Sequence, residues 1–64
     1  MVREEFRVET KEGHVVETQT RKHDKQRIVV VYHEDALLKL EPVHTEEQLS
    51  QWFWHYVEEF GGAV

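Results

Sequence analysis

Five histidines supply the chain with possible metal ligands and proton carriers. They are spaced 9 to 11 residues apart, at His14, His23, His33, His44 and His55. The one histidine with an acidic residue four positions away is His55, which precedes Glu59. His33 is followed by Glu34 and Asp35, which would lend further ligands. Because four scattered ligands would have to converge in the fold, we expect surface histidines, with no metal and no cofactor.

Half of the basic residues lie in one short stretch, residues 21–27. Guanidinium and ammonium groups on such a hairpin tip can contact phosphates. No exposed aromatic residue interleaves them for base stacking, and the chain as a whole is acidic. A solvated polar turn is the simpler interpretation. The alternative is a nucleic-acid-binding regulator, whose candidate phosphate contacts are Arg21, Lys22, Lys25 and Arg27.

Catalytic nucleophiles are scarce in this sequence. There is no Cys, and Ser50 is the only Ser, without the motif that marks a nucleophilic serine. Gly61 and Gly62 sit where a helix would stop and do not form a phosphate-binding loop. We therefore expect no enzymatic activity.

The overall charge limits the classes of partner. The chain carries 13 acidic and 8 basic residues, a formal charge of −5, which argues against a general nucleic-acid coat. A small acidic inhibitor that mimics DNA is a further alternative, although such mimics usually need a denser row of carboxylates than this one. The acidic residues in question are Glu34, Asp35, Glu46, Glu47, Glu58 and Glu59.

The length of 64 residues predicts one small α+β domain over residues 1–64. A chain of this size buries only about 60% of its unfolded surface, so its core should be small. No apolar run approaches the roughly 18 residues of a membrane span, and the charged N-terminus has no signal-peptide core. We expect a soluble, cytoplasmic protein with no membrane partner.

Strand patterns fill the first half of the chain. Residues 2–10 alternate, with Val2, Phe6 and Val8 on the same side as Glu4 and Thr10 and only charged side chains on the other, which is typical of a strand with one wet face. Gly13 predicts a hairpin turn, and residues 14–21 predict the returning strand. Residues 27–33 follow a polar turn and contain successive β-branched side chains, which indicate a third strand.

The segment after residue 33 fits either a strand or a helical turn. Residues 36–40 are predicted to form a short fourth strand with Leu38 and Leu40 facing inward. Pro42 should end it, because proline cannot donate a hydrogen bond to a ladder.

The last element is a C-terminal amphipathic helix. Thr45 and Gln48 have the spacing of a capping box. An apolar stripe follows at helical spacing, and Gly61 should stop the helix. The stripe consists of Leu49, Trp52, Phe53, Tyr56, Val57 and Phe60.

These elements predict an α+β fold, in which an antiparallel meander of three to four strands carries the helix on one face. The predicted core combines the helix stripe with Phe6, Val8, Val16, Ile28, Val30 and Tyr32. Val29 and Val31 would then point away from the helix, where a second copy of the chain is the simplest cover.

Trp54 gives a second indication of an interface. It lies about 60° beyond Val57 on a helical wheel, outside the apolar stripe. Tryptophan is enriched at binding hot spots. Val29, Val31 and Trp54 are therefore the candidate surface for a homodimer or for an unidentified protein partner. The preferred hypothesis is a small non-enzymatic protein-interaction or regulatory module, acting as a homodimer.

Overall fold

The computed structural model describes residues 5–62, so residues 2–4 of the predicted first strand lie outside the described part. Four strands and one helix follow in chain order: β1 (Arg7–Glu9), β2 (His14–Thr20), β3 (Arg27–His33), β4 (Ala36–Val43) and α1 (Glu46–Glu59). The strands form one antiparallel sheet in the order β1-β2-β3-β4. The helix packs on one face of this sheet. The predicted α+β meander with a C-terminal helix is confirmed.

The hairpin between β1 and β2 forms as its glycine predicts. Gly13 has a φ of 86°, a conformation that residues with a Cβ rarely adopt. Its N–H donates to the carbonyl of Thr10 at 3.0 Å, and the Thr10 hydroxyl accepts from the N–H of His14 at 3.0 Å. These two hydrogen bonds close the turn locally.

The central strand β3 presents to the helix the face opposite to the predicted one. Val31 lies opposite Val16 on β2, and Val29 lies opposite Thr18. Val29 and Val31 are both 0% exposed and belong to the cluster that packs on the helix. The prediction that they point away from the helix is wrong. A strand that is apolar on both sides carries no alternation to distinguish its faces. The pairing register with β2 therefore determines which face packs on the helix.

Within residues 5–62, no helix covers the other side of the sheet. Ile28 and Val30 are nevertheless buried there, with 3% and 1% of their surface exposed. Val30 lies between Glu17 of β2 and Leu40 of β4 in the ladder. Because directly opposite residues share a face, these neighbouring side chains flank it on both sides.

The fourth strand is longer and more exposed than predicted. It continues through Pro42, which lies opposite Ile28. Proline is tolerated there because β4 is an edge strand. Leu38 and Leu40 are 43% and 44% exposed, so the prediction that they face inward is wrong. The register shifts opposite Val31 and Tyr32, which leaves Leu38 as the extra residue of a bulge.

The helix begins and ends as its sequence predicts. The Thr45 hydroxyl accepts from the N–H of Gln48 at 3.1 Å, and the Gln48 side chain accepts from the N–H of His44 at 3.0 Å. At the other end Gly61 has a φ of 118°, and the N–H of Gly62 donates to the carbonyl of Val57. Within residues 5–62 no helix is both long and apolar enough to cross a membrane.

Candidate functional site

The three residues predicted to form an interface do not share a surface. Val29 and Val31 are enclosed between the sheet and the helix. They cannot touch a partner while the chain is folded. Trp54, by contrast, is 47% exposed on the helix. Of the predicted set, it alone remains available for binding.

Trp54 lies on the side of the helix away from β4. Its ring meets Phe53 edge-on at 5.0 Å. Two residues later, Tyr56 projects about 200° away around the helix. The Tyr56 hydroxyl donates to Glu41 of β4 at 3.1 Å. The Tyr56 side of the helix therefore faces β4, and Trp54 faces the opposite direction.

A cluster of exposed leucines on β4 was missed by the sequence prediction. Leu37, Leu38 and Leu40 are 50%, 43% and 44% exposed. They are termed here the leucine margin. Together with Trp54 they are the large hydrophobic side chains that the described residues expose. Pro42 could have revealed the margin, since a proline within a strand pattern indicates an edge.

Two opposite charges flank Leu40 on the same strand. Lys39 lies opposite Val31, and Glu41 lies opposite Val29, which places both on the helix side of the sheet. Lys39 is exposed and has no ion-pair partner among residues 5–62. Glu41 is half-buried and accepts the Tyr56 hydroxyl.

The Tyr56–Glu41 contact also changes the acidity of the phenol. Burial raises the pKa of Tyr56 above its ordinary value, and the hydrogen bond to Glu41 raises it further. The phenol is therefore held neutral, as a donor to the carboxylate. This bond ties the outer strand to the helix.

The arginines of the basic hairpin tip already have carboxylate partners. Arg21 Nη2 lies 2.9 Å from Asp24 Oδ2. A hydrogen bond from the backbone N–H of Gln26 lowers the pKa of Asp24, and the nearby Arg21 lowers it as well. Arg27 Nη1 lies 2.6 Å from Glu46 Oε1, and its side chain is only 13% exposed.

Two of the four candidate phosphate contacts are therefore engaged within the chain. Lys22 and Lys25 are exposed, whereas Arg21 and Arg27 are only partly accessible. Arg27 is held at the start of the helix, away from the tip. A phosphate at the tip would have to compete with Asp24 for Arg21. The nucleic-acid hypothesis remains a prediction without a continuous cationic surface to support it.

Two histidines that are distant in sequence come together at one end of the sheet. His14 and His33 are cross-strand neighbours with ring centroids 4.6 Å apart, and Phe60 lies 5.0 Å from His14. His55 Nε2 lies 3.9 Å from Glu59 Oε1 on the helix. No group of three or more His, Asp or Glu side chains within residues 5–62 could hold a metal ion.

A shallow depression lies on the helix surface. Gln51, Trp52 and His55 line it, with a volume of about 310 Å³. The Trp52 ring stacks on Tyr56 at 5.6 Å and meets His55 edge-on at 5.3 Å. The depression is open to solvent along the helix surface. Nothing in it combines a nucleophile with a base.

Comparison with family models, with curated proteins and with solved structures gives no match for this chain. The leucine margin is the feature with the most distinct chemistry, because it joins exposed apolar side chains to an unpaired strand edge.

Proposed function

We propose that this chain is a small non-enzymatic protein-interaction module that acts as a homodimer, with the leucine margin as its self-association surface. The observation that carries this proposal is the exposure of Leu37, Leu38 and Leu40 on one edge strand. An edge strand presents unpaired N–H and C=O groups, and an apolar edge strand is a template for pairing.

The energetics favour a weak, reversible dimer. Stable protein interfaces bury about 800 Å² on each partner. The whole described surface amounts to 4607 Å², and the three leucines expose only part of their own area. We therefore expect a micromolar rather than a nanomolar dissociation constant. A module of this kind would exchange subunits readily.

Trp54 supports the interaction part of the proposal. It lies on the side of the helix away from β4, so a dimer formed through the leucine margin leaves its ring exposed. An exposed tryptophan is a typical anchor for another protein. The leucine margin would thus serve self-association, and Trp54 would bind a different protein.

Sedimentation velocity tests the self-association directly. The mass should rise from the 7.7 kDa of one chain toward twice that value as the concentration increases. Replacing Leu37, Leu38 and Leu40 together by Ser should keep the chain monomeric and folded, because these side chains lie outside the core. Trp54→Ser is the matched control and should dimerise like the wild type. A wild-type chain that stays monomeric at high micromolar concentration would overturn the proposal.

A further inference from the structure

We infer that the dimer forms by antiparallel pairing of β4 with β4 of a second copy, in a register centred on Leu40. This inference rests on the proposed self-association and specifies its geometry. In that register the two Leu40 side chains meet at the two-fold axis. Lys39 of each copy then lies opposite Glu41 of the other.

Charge complementarity selects this register among the possible ones. Lys39 and Glu41 stand at equal distances on either side of Leu40 and share the helix side of the sheet. A two-fold axis through Leu40 therefore creates two opposite-charge pairs at directly opposite positions, each of the kind that stabilises sheets. Shifting the axis to Lys39 or to Glu41 would instead place like charges against each other.

The flanking residues limit the length of the segment that can pair. A proline in an edge strand keeps its missing donor on the outer side, so Pro42 removes one hydrogen bond next to the paired region. Leu38, at the other end, belongs to the bulge. Between them, residues 39–41 form the short segment that can pair. Once two copies have joined, β4 is no longer an edge.

Charge reversal tests the register. Lys39→Glu and Glu41→Lys should each weaken the dimer about tenfold or more, because each turns both symmetric pairs repulsive. The double variant, Lys39→Glu with Glu41→Lys, restores opposite charges and should return to within about threefold of the wild-type dissociation constant. Lys22→Glu on the hairpin tip makes the same change in net charge as Lys39→Glu and should leave the dimer unchanged.

Two further controls separate folding from association. Glu41→Lys also removes the acceptor of the Tyr56 hydroxyl, so Tyr56→Phe is measured beside it. Circular dichroism confirms that each variant is folded. If Tyr56→Phe weakens the dimer as much as Glu41→Lys does, the effect comes from the monomer and the register is wrong.

Cysteine cross-linking gives a second readout, since the chain has no Cys. Opposite Cα atoms in an antiparallel pair lie about 4.5 to 5.5 Å apart, within reach of a disulfide. Leu40→Cys should therefore form a covalent dimer on mild oxidation. Leu37→Cys is equally exposed but would oppose Val43 of the second copy, so it should cross-link much more slowly. Equal rates for the two variants would exclude this register.

The outcomes distinguish the inference from the proposed function. Single reversals that weaken the dimer, with recovery in the double variant, support the register. If no reversal has an effect but the triple leucine variant is monomeric, the leucine margin still mediates the dimer and the strands do not pair about Leu40. If the double variant is as weak as the single ones, the register is also wrong. A monomeric wild type overturns both.

Discussion

The two edges of the sheet differ in length and in chemistry. In the described residues β1 has three residues and exposes the charged side chains of Arg7 and Glu9. β4 has eight residues and exposes three leucines. Both edges leave backbone groups unpaired, but only β4 adds apolar side chains that gain from leaving water. Charged side chains along an edge discourage strand pairing, whereas exposed apolar side chains favour it.

The largest effect should come from placing a charge at the centre of the β4 edge. Leu40→Lys would bring two like charges together at the proposed axis and remove an apolar contact. We expect the dissociation constant to rise about a hundredfold, which corresponds to about 3 kcal/mol. Sedimentation velocity measures it.

Glu9→Lys provides the matched control on the β1 edge. It also introduces a lysine on an exposed edge position and should change the dimer by less than about twofold. If Leu40→Lys and Glu9→Lys weaken the dimer equally, β4 is not distinguished from β1 as the edge that pairs.

Between the edges, substitutions in β3 should affect stability rather than association. Val29→Ala removes buried apolar volume from the core and should lower the free energy of unfolding by about 2 kcal/mol. Val15→Ala makes the same change at a half-buried position and should lower it by less. Urea denaturation measures both. Equal losses would contradict the placement of Val29 in the core.

The bond that ties β4 to the helix should give a smaller, pH-dependent effect. Tyr56→Phe removes the hydroxyl that donates to Glu41 and should destabilise the chain by about 1 kcal/mol at neutral pH. The wild type should show its full gain in stability over Tyr56→Phe below about pH 10, the pKa of tyrosine in the unfolded chain.

The raised pKa of Tyr56 determines how the stability changes above that pH. The folded chain keeps the phenolic proton after the unfolded chain has lost it, so stability falls as the pH rises through the folded pKa. Thermal unfolding at several alkaline pH values should show a steeper loss for the wild type than for Tyr56→Phe. Parallel curves would mean that this phenol does not titrate differently on folding.

The smallest effect belongs to the β1 edge. Arg7 Nε lies 3.6 Å from Glu17 Oε2, but the Arg7 side chain is 65% exposed. Water and salt screen such a pair, so Arg7→Ala should change the stability by at most about 0.5 kcal/mol. A loss above about 1 kcal/mol in urea denaturation would show that the charged edge contributes more to the fold than its exposure suggests.

Local signals in the sequence were sufficient to predict the strands and the helix. Gly13 marked the first hairpin, the β-branched run over residues 27–33 marked β3, and Thr45 with Gln48 marked the start of the helix. Each of these signals acts through the backbone conformation or the capping of its own neighbourhood. The order of the elements followed from them.

The long-range register could not be predicted in the same way. Residues 28–31 are apolar on both faces of β3, so the alternation that would identify the helix side is missing. The pairing of Val31 with Val16 determines which side is covered, and that pairing depends on the whole hairpin. The error about Val29 and Val31 followed from this ambiguity.

The leucine margin could not be predicted for a related reason. A proline predicts the end of a strand and also marks an edge. The apolar character of Leu38 and Leu40 predicts an inward position, whereas both are exposed. Leu38 and Leu40 are exposed because of where they lie on the edge strand, and sequence alone does not give the position of a strand in the sheet. Trp54 was identified because it departs from the helical stripe, a local feature.

Amide hydrogen exchange at low and high protein concentration tests the comparison between the edges most directly. Pairing of β4 with a second copy should slow the exchange of the outward-facing amide of Leu40 as the concentration rises from about 5 to 500 µM. The amides of β1 should exchange at the same rate throughout. Protection that grows on β1, or that grows on neither edge, would contradict the assignment of β4 as the self-association surface.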